Sequence, residues 1–373
     1  MIGLLRALTS KRGRSRAAWR HLKGACKTLI CVFEVFPMLP SWPVDLVTPR
    51  PVVERARYAT SSGEAETDLY RPGGRGPFPG IVVCLGVVPF GVDHPQVPRL
   101  GQALARSGFA ALMHWSPAMR DFRLEPSDAG NIAAAYAALL DRADIDAERS
   151  GLLGTCVGGA FALLAAAEPE VRDRVSFVLA YAAYGSMQTL ARDIASASAD
   201  GGRGREPWEV DQLTRHVFVS TVTATLAPEE AARLREACAE RRTPPHLDGL
   251  SEEARALLPL LCEIGVDEAE AALRQLPEPL RDRLEAMSPL AHLGGVRAPL
   301  IVLLHDRDDP VIPVGESRQL HAALGGRAGA QYTEFTVFKH LDPTRGRPKP
   351  LPLARELLRF ARAVQPVFQR AAE

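Results

Sequence analysis

The chain has 373 residues, 46% hydrophobic and 24% charged, which is enough material for a large core in one large or two ordinary domains. A formal net charge of +1 and a sequence pI near 7.7 give no global attraction to nucleic acid or to acidic substrates. The six cysteines are scattered, and no His/Cys group has the spacing of metal ligands. These features argue against a disulfide framework, a metal or another cofactor, and they favour the reducing cytoplasm.

Residues 1–46 are expected to form a basic N-terminal extension with an apolar segment. Eight Lys and Arg residues, from Arg6 to Lys27, precede the first acid, Glu34. The apolar stretch 28–47 contains Glu34, Asp45 and three prolines, so it is too interrupted for a transmembrane helix, and it lacks the cleavage site of a signal peptide. Two interpretations stay open: a solvated extension that leads into a segment packed on the domain, or a cationic tether to anionic lipid at the inner face of the membrane.

From residue 47 the pattern alternates between strand and helix, which predicts a mostly parallel sheet with helices on both faces. The core is expected to comprise residues 47–186 and 288–373. Its predicted helices are 96–107, 128–142 and 351–368, and its predicted strands are 80–86, 109–115, 151–153, 175–181, 299–305 and 333–338.

Between residues 187 and 287 the strand signal nearly vanishes, and the sequence becomes helical and charged. The stretches 229–241 and 251–262 have helical apolar spacing, and Asp267 with Glu270 has the spacing of a capping box. Glycines 201, 202 and 204 are expected to mark a flexible connection. We therefore predict an inserted helical domain.

The hexapeptide 154–159, Gly-Thr-Cys-Val-Gly-Gly, lies between an apolar run and an Ala-rich run. This pattern is typical of a Gly-x-nucleophile-x-Gly turn, in which small residues two before and two after a strained nucleophile let strand and helix approach. Cys156 is then the nucleophile, and the N–H of Val157, with the positive end of the helix, faces developing negative charge. The alternative is a Gly-rich turn beside an inert cysteine.

The segment 151–167 resembles the nucleophile turn of the α/β-hydrolase superfamily, in the cysteine variant of dienelactone hydrolases. Further segments resemble other parts of that fold: 68–72 with 77–86 the first strand and the oxyanion-loop strand, 288–292 with 298–313 the acid-bearing strand and loop, and 335–340 the last strand and its histidine. The resemblance covers residues 50–186 and 288–368. It implies an α/β-hydrolase fold in which 187–287 is a lid over the pocket; a lateral or dimerising decoration is the alternative.

The resemblance implies a triad in the order nucleophile, acid, histidine: Cys156, Asp309 and His340. Asp309 is preferred because 309–313 has the Asp-x-x-Ile-Pro frame of the family, and Asp306 and Asp308 stay open as alternatives. A cysteine needs a base to take its proton and a third group to orient that base. The remaining candidates, His114, His292 and His305, are interpreted as structural groups.

The oxyanion hole is expected to pair the N–H of Val157 with that of Val87, although the loop 85–89 lacks the His-Gly pair usual in the family. The leading expectation is a hydrolase that cleaves ester, lactone or thioester bonds of a small acyl substrate through an acyl-cysteine intermediate. Polyhydroxyalkanoate synthases also carry a Gly-x-Cys-x-Gly-Gly box, which this chain matches through Gly159, so an acyltransferase is one alternative. A non-catalytic, membrane-associated protein of the same fold is another.

Overall fold

The computed structural model describes residues 19, 21–36, 38–239, 249–338, 340 and 349–372, with Ala237 and Ala239 described by their backbone alone. The first eighteen residues of the expected extension and the end of the helix predicted over 229–241 lie outside this range. The main sheet has eight strands in the order β1-β2-β4-β3-β5-β6-β9-β10. The strands of the described residues are β1 Val52–Thr60, β2 Gly63–Arg71, β3 Phe78–Cys84, β4 Ala110–His114, β5 Ile145–Thr155, β6 Phe177–Tyr181, β7 Ser198–Asp200, β8 Arg205–Pro207, β9 Leu300–Asp306 and β10 Ala330–Phe335.

Strands β1 and β2 pair antiparallel with each other, and β2 pairs antiparallel with β4. All other neighbours in this sheet pair in parallel. The helices are α1 residues 21–35, α2 Trp42–Val47, α3 Gln96–Arg106, α4 Pro117–Arg120, α5 Ser127–Leu140, α6 Val157–Ala165, α7 Met187–Ala195, α8 Gln212–Val222, α9 Pro228–Ala239, α10 Glu252–Leu261, α11 Val266–Gln275, α12 Glu278–Ala286, α13 Pro289–His292, α14 Val314–Ala323 and α15 Pro350–Arg370.

The central strands are apolar along their whole length because both faces of the sheet are covered. Val82 and Leu152 belong to one buried cluster, and their chain neighbours Val83 and Leu153 belong to a second. Successive side chains of a strand point to opposite faces, so the two clusters lie on opposite sides of the sheet. This confirms the predicted mostly parallel sheet with helices on both faces.

Helix α1 covers the second of these faces. It buries Cys31 and Val32, and Phe36 just beyond its end stacks on Phe338 with ring centroids 5.2 Å apart. Part of the expected extension therefore packs on the domain. Among the described helices, none combines the length and hydrophobicity that crossing a bilayer requires.

Segment 187–287, which we call the insert, contains among its described residues helices α7 to α12 and a short antiparallel hairpin, β7–β8. The three glycines predicted to form a flexible connection are instead in this hairpin's turn, where Gly202 and Gly204 have φ of +91° and +129°. The predicted capping box was also placed two residues late. Helix α11 begins after Gly265, and the carboxylate that reaches back is that of Glu268, which accepts the N–H of Gly265 at 3.1 Å.

The last strand, predicted over 333–338, spans Ala330–Phe335. Its residues pair with β9 from Ala330 opposite Ile301 to Phe335 opposite Asp306, so the pairing stops where β9 stops. The chain then turns, and the N–H of Phe338 donates to Asp306 instead of to a strand neighbour. Residues 336–338 therefore lead out of the sheet toward His340.

Candidate active site

Cys156 occupies the turn between β5 and α6 with φ of 57° and ψ of −138°. Few non-glycine residues adopt such a backbone conformation, and it persists only where the surroundings hold it. Here the N–H of Cys156 donates to the carbonyl oxygen of Tyr181 at 2.8 Å, and its own carbonyl accepts from Gly159 at 2.9 Å. The side chain is half-buried at the carboxyl edge of the parallel strands.

The two glycines of the motif are required by close backbone approach. A Cβ added to Gly154 would lie 2.1 Å from the carbonyl oxygen of Gly158, and one added to Gly158 would lie 2.3 Å from that of Cys84. Real Cβ atoms do not come this near to backbone atoms. The turn geometry predicted from the sequence is present, together with its steric reason.

Asp309 and His340 follow the neighbouring parallel strands β9 and β10, whose carboxyl ends meet at the same edge of the sheet. The Nδ1 of His340 lies 2.7 Å from the Oδ2 of Asp309, whose side chain has no exposed surface. The other oxygen, Oδ1, accepts the N–H groups of Val311 and Ile312 at 2.8 and 3.0 Å. A carboxylate held this way accepts the Nδ1 proton, which leaves Nε2 for the thiol.

Cys156, His340 and Asp309 also form one electrostatic unit. Burial alone would lower the pKa of His340, but the charges of Asp309 and Cys156 and hydrogen bonds to both side chains raise it well above its ordinary value. Burial would raise the pKa of Asp309, but the charge and hydrogen bond of His340 hold it below its usual value. The arrangement favours an imidazolium between the sulfur and the carboxylate.

The alternative acids lie elsewhere. Asp308 is exposed. Asp306 is buried, and its Oδ2 accepts the backbone N–H of His340 at 3.0 Å and the hydroxyl of Tyr181. The structure therefore brings Asp309, of the three acids, to the imidazole, and Asp306 to the loop that carries it.

The contacts of Asp306 were not predicted from the sequence. Tyr181 accepts the N–H of Cys156 with its carbonyl oxygen and donates its hydroxyl to Asp306, so one residue connects the nucleophile turn with the histidine loop. The φ of His340 is +63°, a strained value that such anchoring can hold. Burial raises the pKa of Asp306, against the opposing effects of the Tyr181 hydroxyl and the His340 N–H. The sequence signal was slight: an extra acid at the end of the acid-bearing strand.

The other histidines have structural surroundings. His305 is fully buried behind Asp309, with Nδ1 2.7 Å from the Ser317 hydroxyl and Nε2 2.9 Å from the Ile312 carbonyl oxygen. His114 bonds to the Tyr58 hydroxyl at 2.8 Å, and burial lowers its pKa to about 4. His292 is exposed at the end of α13.

The loop that carries Val87 packs directly on the nucleophile turn. The Thr155 hydroxyl donates to the carbonyl oxygen of Leu85 at 3.1 Å. Gly86 has φ of +73°, and a Cβ there would lie 2.8 Å from the nitrogen of Gly158. Val157 is the first residue of α6, where a backbone N–H has no acceptor within its own helix. The pairing of the Val157 and Val87 N–H groups as an oxyanion hole stays a prediction.

The insert contacts the loops at this edge of the sheet. Thr214 of α8 donates its hydroxyl to the carbonyl oxygen of Val311, two residues beyond Asp309, at 2.8 Å. Arg283 of α12 pairs with Glu125 at 2.7 Å in the loop before α5. Within the described residues, no group of three or more His, Cys, Asp or Glu side chains could hold a metal ion.

No protein-family model matches the sequence, and a search of curated proteins finds no match. Solved structures do match. An uncomplexed Pyrococcus horikoshii acylaminoacyl peptidase has a TM-score of 0.53 and 14% identity, covering 88% of this chain and 44% of that chain. A puromycin-hydrolyzing peptidase of Mycobacterium tuberculosis has a TM-score of 0.51 and 17% identity, covering 89% and 41%. A puromycin hydrolase has a TM-score of 0.51 and 18% identity, covering 85% and 39%. This chain thus spans about two fifths of the length of these proteins, and at such identity the likeness shows a shared fold.

Proposed function

We propose that this chain, which has the α/β-hydrolase fold, is a hydrolase that cleaves an acyl bond through Cys156, His340 and Asp309. The observation that carries the proposal is the 2.7 Å contact of His340 with a fully buried Asp309, in a histidine whose pKa is also raised by the charge of Cys156 at a strained turn. Nucleophile, base and orienting acid are the three parts that covalent acyl transfer requires. A cysteine in the nucleophile position is the feature in which this chain resembles dienelactone hydrolases.

The chemistry follows from the positions of the protons. With the thiol proton held by His340 as imidazolium, the Cys156 thiolate attacks the carbonyl carbon to form a tetrahedral oxyanion. Collapse of this intermediate expels the leaving group, which takes the proton from His340, and leaves a thioester on Cys156. His340 then deprotonates a water molecule that attacks the thioester, and the acid product departs as the thiol is restored.

Two further features support the assignment. The loop 85–87 lies against the start of α6, so the N–H groups of Val157 and Val87 are suited to donate to the oxyanion; one such donor typically contributes about 3 kcal/mol of transition-state stabilisation. The insert contacts the Asp309 loop through Thr214, which supports a lid role that shapes the acyl pocket.

Ester, lactone and thioester bonds are the leading substrate class, because their leaving groups depend least on proton transfer from His340. Amide bonds are the second candidate, since the solved proteins of similar fold are named as peptidases and a puromycin hydrolase. Amide cleavage demands full proton transfer from His340 to the leaving nitrogen. An acyltransferase of the polyhydroxyalkanoate-synthase type stays an alternative, because Gly159 completes the Gly-x-Cys-x-Gly-Gly box that those enzymes carry.

The test is a substrate panel of short and long acyl p-nitrophenyl esters, an acyl thioester, a lactone and an acyl anilide, with and without an alcohol acceptor. We expect ester or thioester turnover that disappears in Cys156→Ala and persists in Cys26→Ala, the same change at an exposed cysteine on α1. Turnover of the anilide at a rate comparable to the esters would favour the amide class, and products esterified to the added alcohol would favour an acyltransferase. Equal turnover in Cys156→Ala would refute the proposal.

A further inference from the structure

Helix α1 has two apolar faces. The inward face packs on the domain through Cys31 and Val32. The opposite face carries Leu22 and Leu29, and Trp19, a helical residue just before the range of α1, is in line with them; each is more than half exposed. Cys26 continues the same stripe, because positions 19, 22, 26 and 29 follow the three- and four-residue spacing of one helix face. A helix packed by one apolar face has no internal need for a second.

Helix α15 lies beside α1 and runs in the opposite direction. The Gln369 side chain bonds to His21 at 2.9 Å near one end, and the rings of Phe360 and Phe36 lie 5.3 Å apart near the other. Both helices contribute to the buried cluster on one face of the sheet. Their outward faces therefore point to the same side of the molecule.

The outward face of α15 repeats the same chemistry. Leu351 and Leu358 are more than half exposed and lie two turns apart, and the exposed Arg355 and Arg362 alternate with them along that face. We call Trp19, Leu22, Leu29, Leu351, Leu358 and the neighbouring basic side chains the α1–α15 surface. Several exposed apolar groups that point to one side of the molecule are typical of an interaction site.

The charge of this surface selects the class of partner. Lys23, Arg355 and Arg362 are exposed, and the Lys23 ammonium lies 5.5 Å from the centre of the Trp19 ring. The acids of the two helices are engaged: Glu34 is buried beside Arg106, and Glu356 accepts the N–H of Thr336. No acid precedes Glu34 in the sequence. A second copy of the chain would bring like charges together, whereas an anionic surface is attracted.

We propose that the α1–α15 surface docks on a bilayer that contains anionic lipid. Exposed leucines and a tryptophan next to lysine and arginine are the groups that insert at the boundary between headgroups and acyl chains, with the cations remaining at the phosphates. The end of α1 also contacts the segment before His340, because the buried Phe36 stacks on Phe338.

The experiment measures flotation of the full chain with vesicles of phosphatidylcholine alone and of equimolar phosphatidylserine and phosphatidylcholine, at low and high salt. We expect binding to the anionic vesicles that high salt weakens, since salt screens the attraction. Trp19→Ser/Leu22→Ser/Leu29→Ser should weaken binding about tenfold or more, because three apolar side chains no longer enter the interface. Arg355→Gln/Arg362→Gln should reduce the preference for the anionic vesicles.

The matched control is Val53→Ser, which removes an equally exposed apolar side chain from the edge strand β1 and should leave binding unchanged. All substituted side chains are exposed, so the variants keep the fold, which circular dichroism checks. Absence of flotation with anionic vesicles, or equal flotation of the triple variant and the wild type, overturns the proposal. A concentration-dependent dimer that the triple variant dissociates, without vesicle binding, assigns the surface to a second copy instead.

Discussion

Removal of the Tyr181 hydroxyl is expected to loosen the histidine loop and destabilise the fold at the same time. In Tyr181→Phe the ring and its packing are kept, and Asp306 loses its hydrogen bond from the buried hydroxyl. A hydrogen bond to a charged group contributes about 1.5–3 kcal/mol, and no cavity forms, so we expect a loss of about 2 kcal/mol in the free energy of unfolding. The matched control is Tyr332→Phe, which removes a hydroxyl that donates to Glu334 at 3.0 Å, where Arg307 and Arg318 also bind the carboxylate.

The sign of the pH dependence follows from Asp306. Burial raises its folded pKa, and the Tyr181 hydroxyl opposes that rise, so the substitution raises the pKa further. The lost stabilisation belongs to the ionised carboxylate. It is therefore largest above the folded pKa and diminishes as the pH falls through it.

Two assays test this reasoning: urea unfolding at several pH values, and the rate at which iodoacetamide alkylates Cys156. Alkylation should slow in Tyr181→Phe, because the loop that holds His340 beside the sulfur loses an anchor, and it should be unchanged in Tyr332→Phe. Equal unfolding free energies and equal alkylation rates in the two variants would refute the proposed connection.

Three further predictions concern the turn, the base of the insert and the insert itself. Gly154→Ala should destabilise the fold by about 3 kcal/mol or more, because its Cβ meets backbone atoms, whereas Gly130→Ala, in open space on α5, should stabilise by about 0.5–1 kcal/mol; equal urea midpoints would contradict the turn geometry. Glu316 accepts the backbone N–H of Gly185, just before the insert, and burial raises the pKa of this carboxyl to about 7. Its ionisation in the folded state therefore costs stability as the pH rises from about 4.5 to 7. Relative to Glu316→Gln, the wild type should be more stable at pH 5 than at pH 8, and a stability difference that is the same at both pH values would count against this. Replacing residues 187–287 with a Gly/Ser linker should change the chain-length profile of kcat/KM more than the alkylation rate of Cys156, and identical profiles from two folded proteins would reject the lid role.

The parts of the site that were predictable are local in the sequence. Gly154 and Gly158 lie two residues from Cys156, so the steric demand of the turn is visible in one short motif, and the apolar runs of the parallel strands follow from burial on both faces. The first half of β5 was missed because Asp146, Glu148 and Arg149 are polar, although Ile145 pairs with Phe78 of β3.

The parts that were missed depend on contacts between distant residues. Tyr181 and Asp306 are 125 positions apart, and the spacing of neither predicts that the Asp306 carboxylate holds the loop of His340. The preference for Asp309 over Asp306 and Asp308 likewise came from the Asp-x-x-Ile-Pro frame of the family. In the structure the three side chains are directed to different places because β9 ends at Asp306 and the chain then turns. The strained φ of His340 has no signal in the sequence, because the residue that holds its backbone, Asp306, is 34 positions away.

The most direct test of the account is the mass of the protein during turnover of a slowly hydrolysed acyl ester, followed by mapping of the modified residue. We predict a covalent acyl adduct on Cys156 that accumulates and decays in the wild type, because an acyl-cysteine must form before water can release the acid. In His340→Gln the adduct should form slowly and persist, since the base for both steps is missing. Turnover with no adduct on Cys156, or an adduct on a different residue, would contradict the central claim.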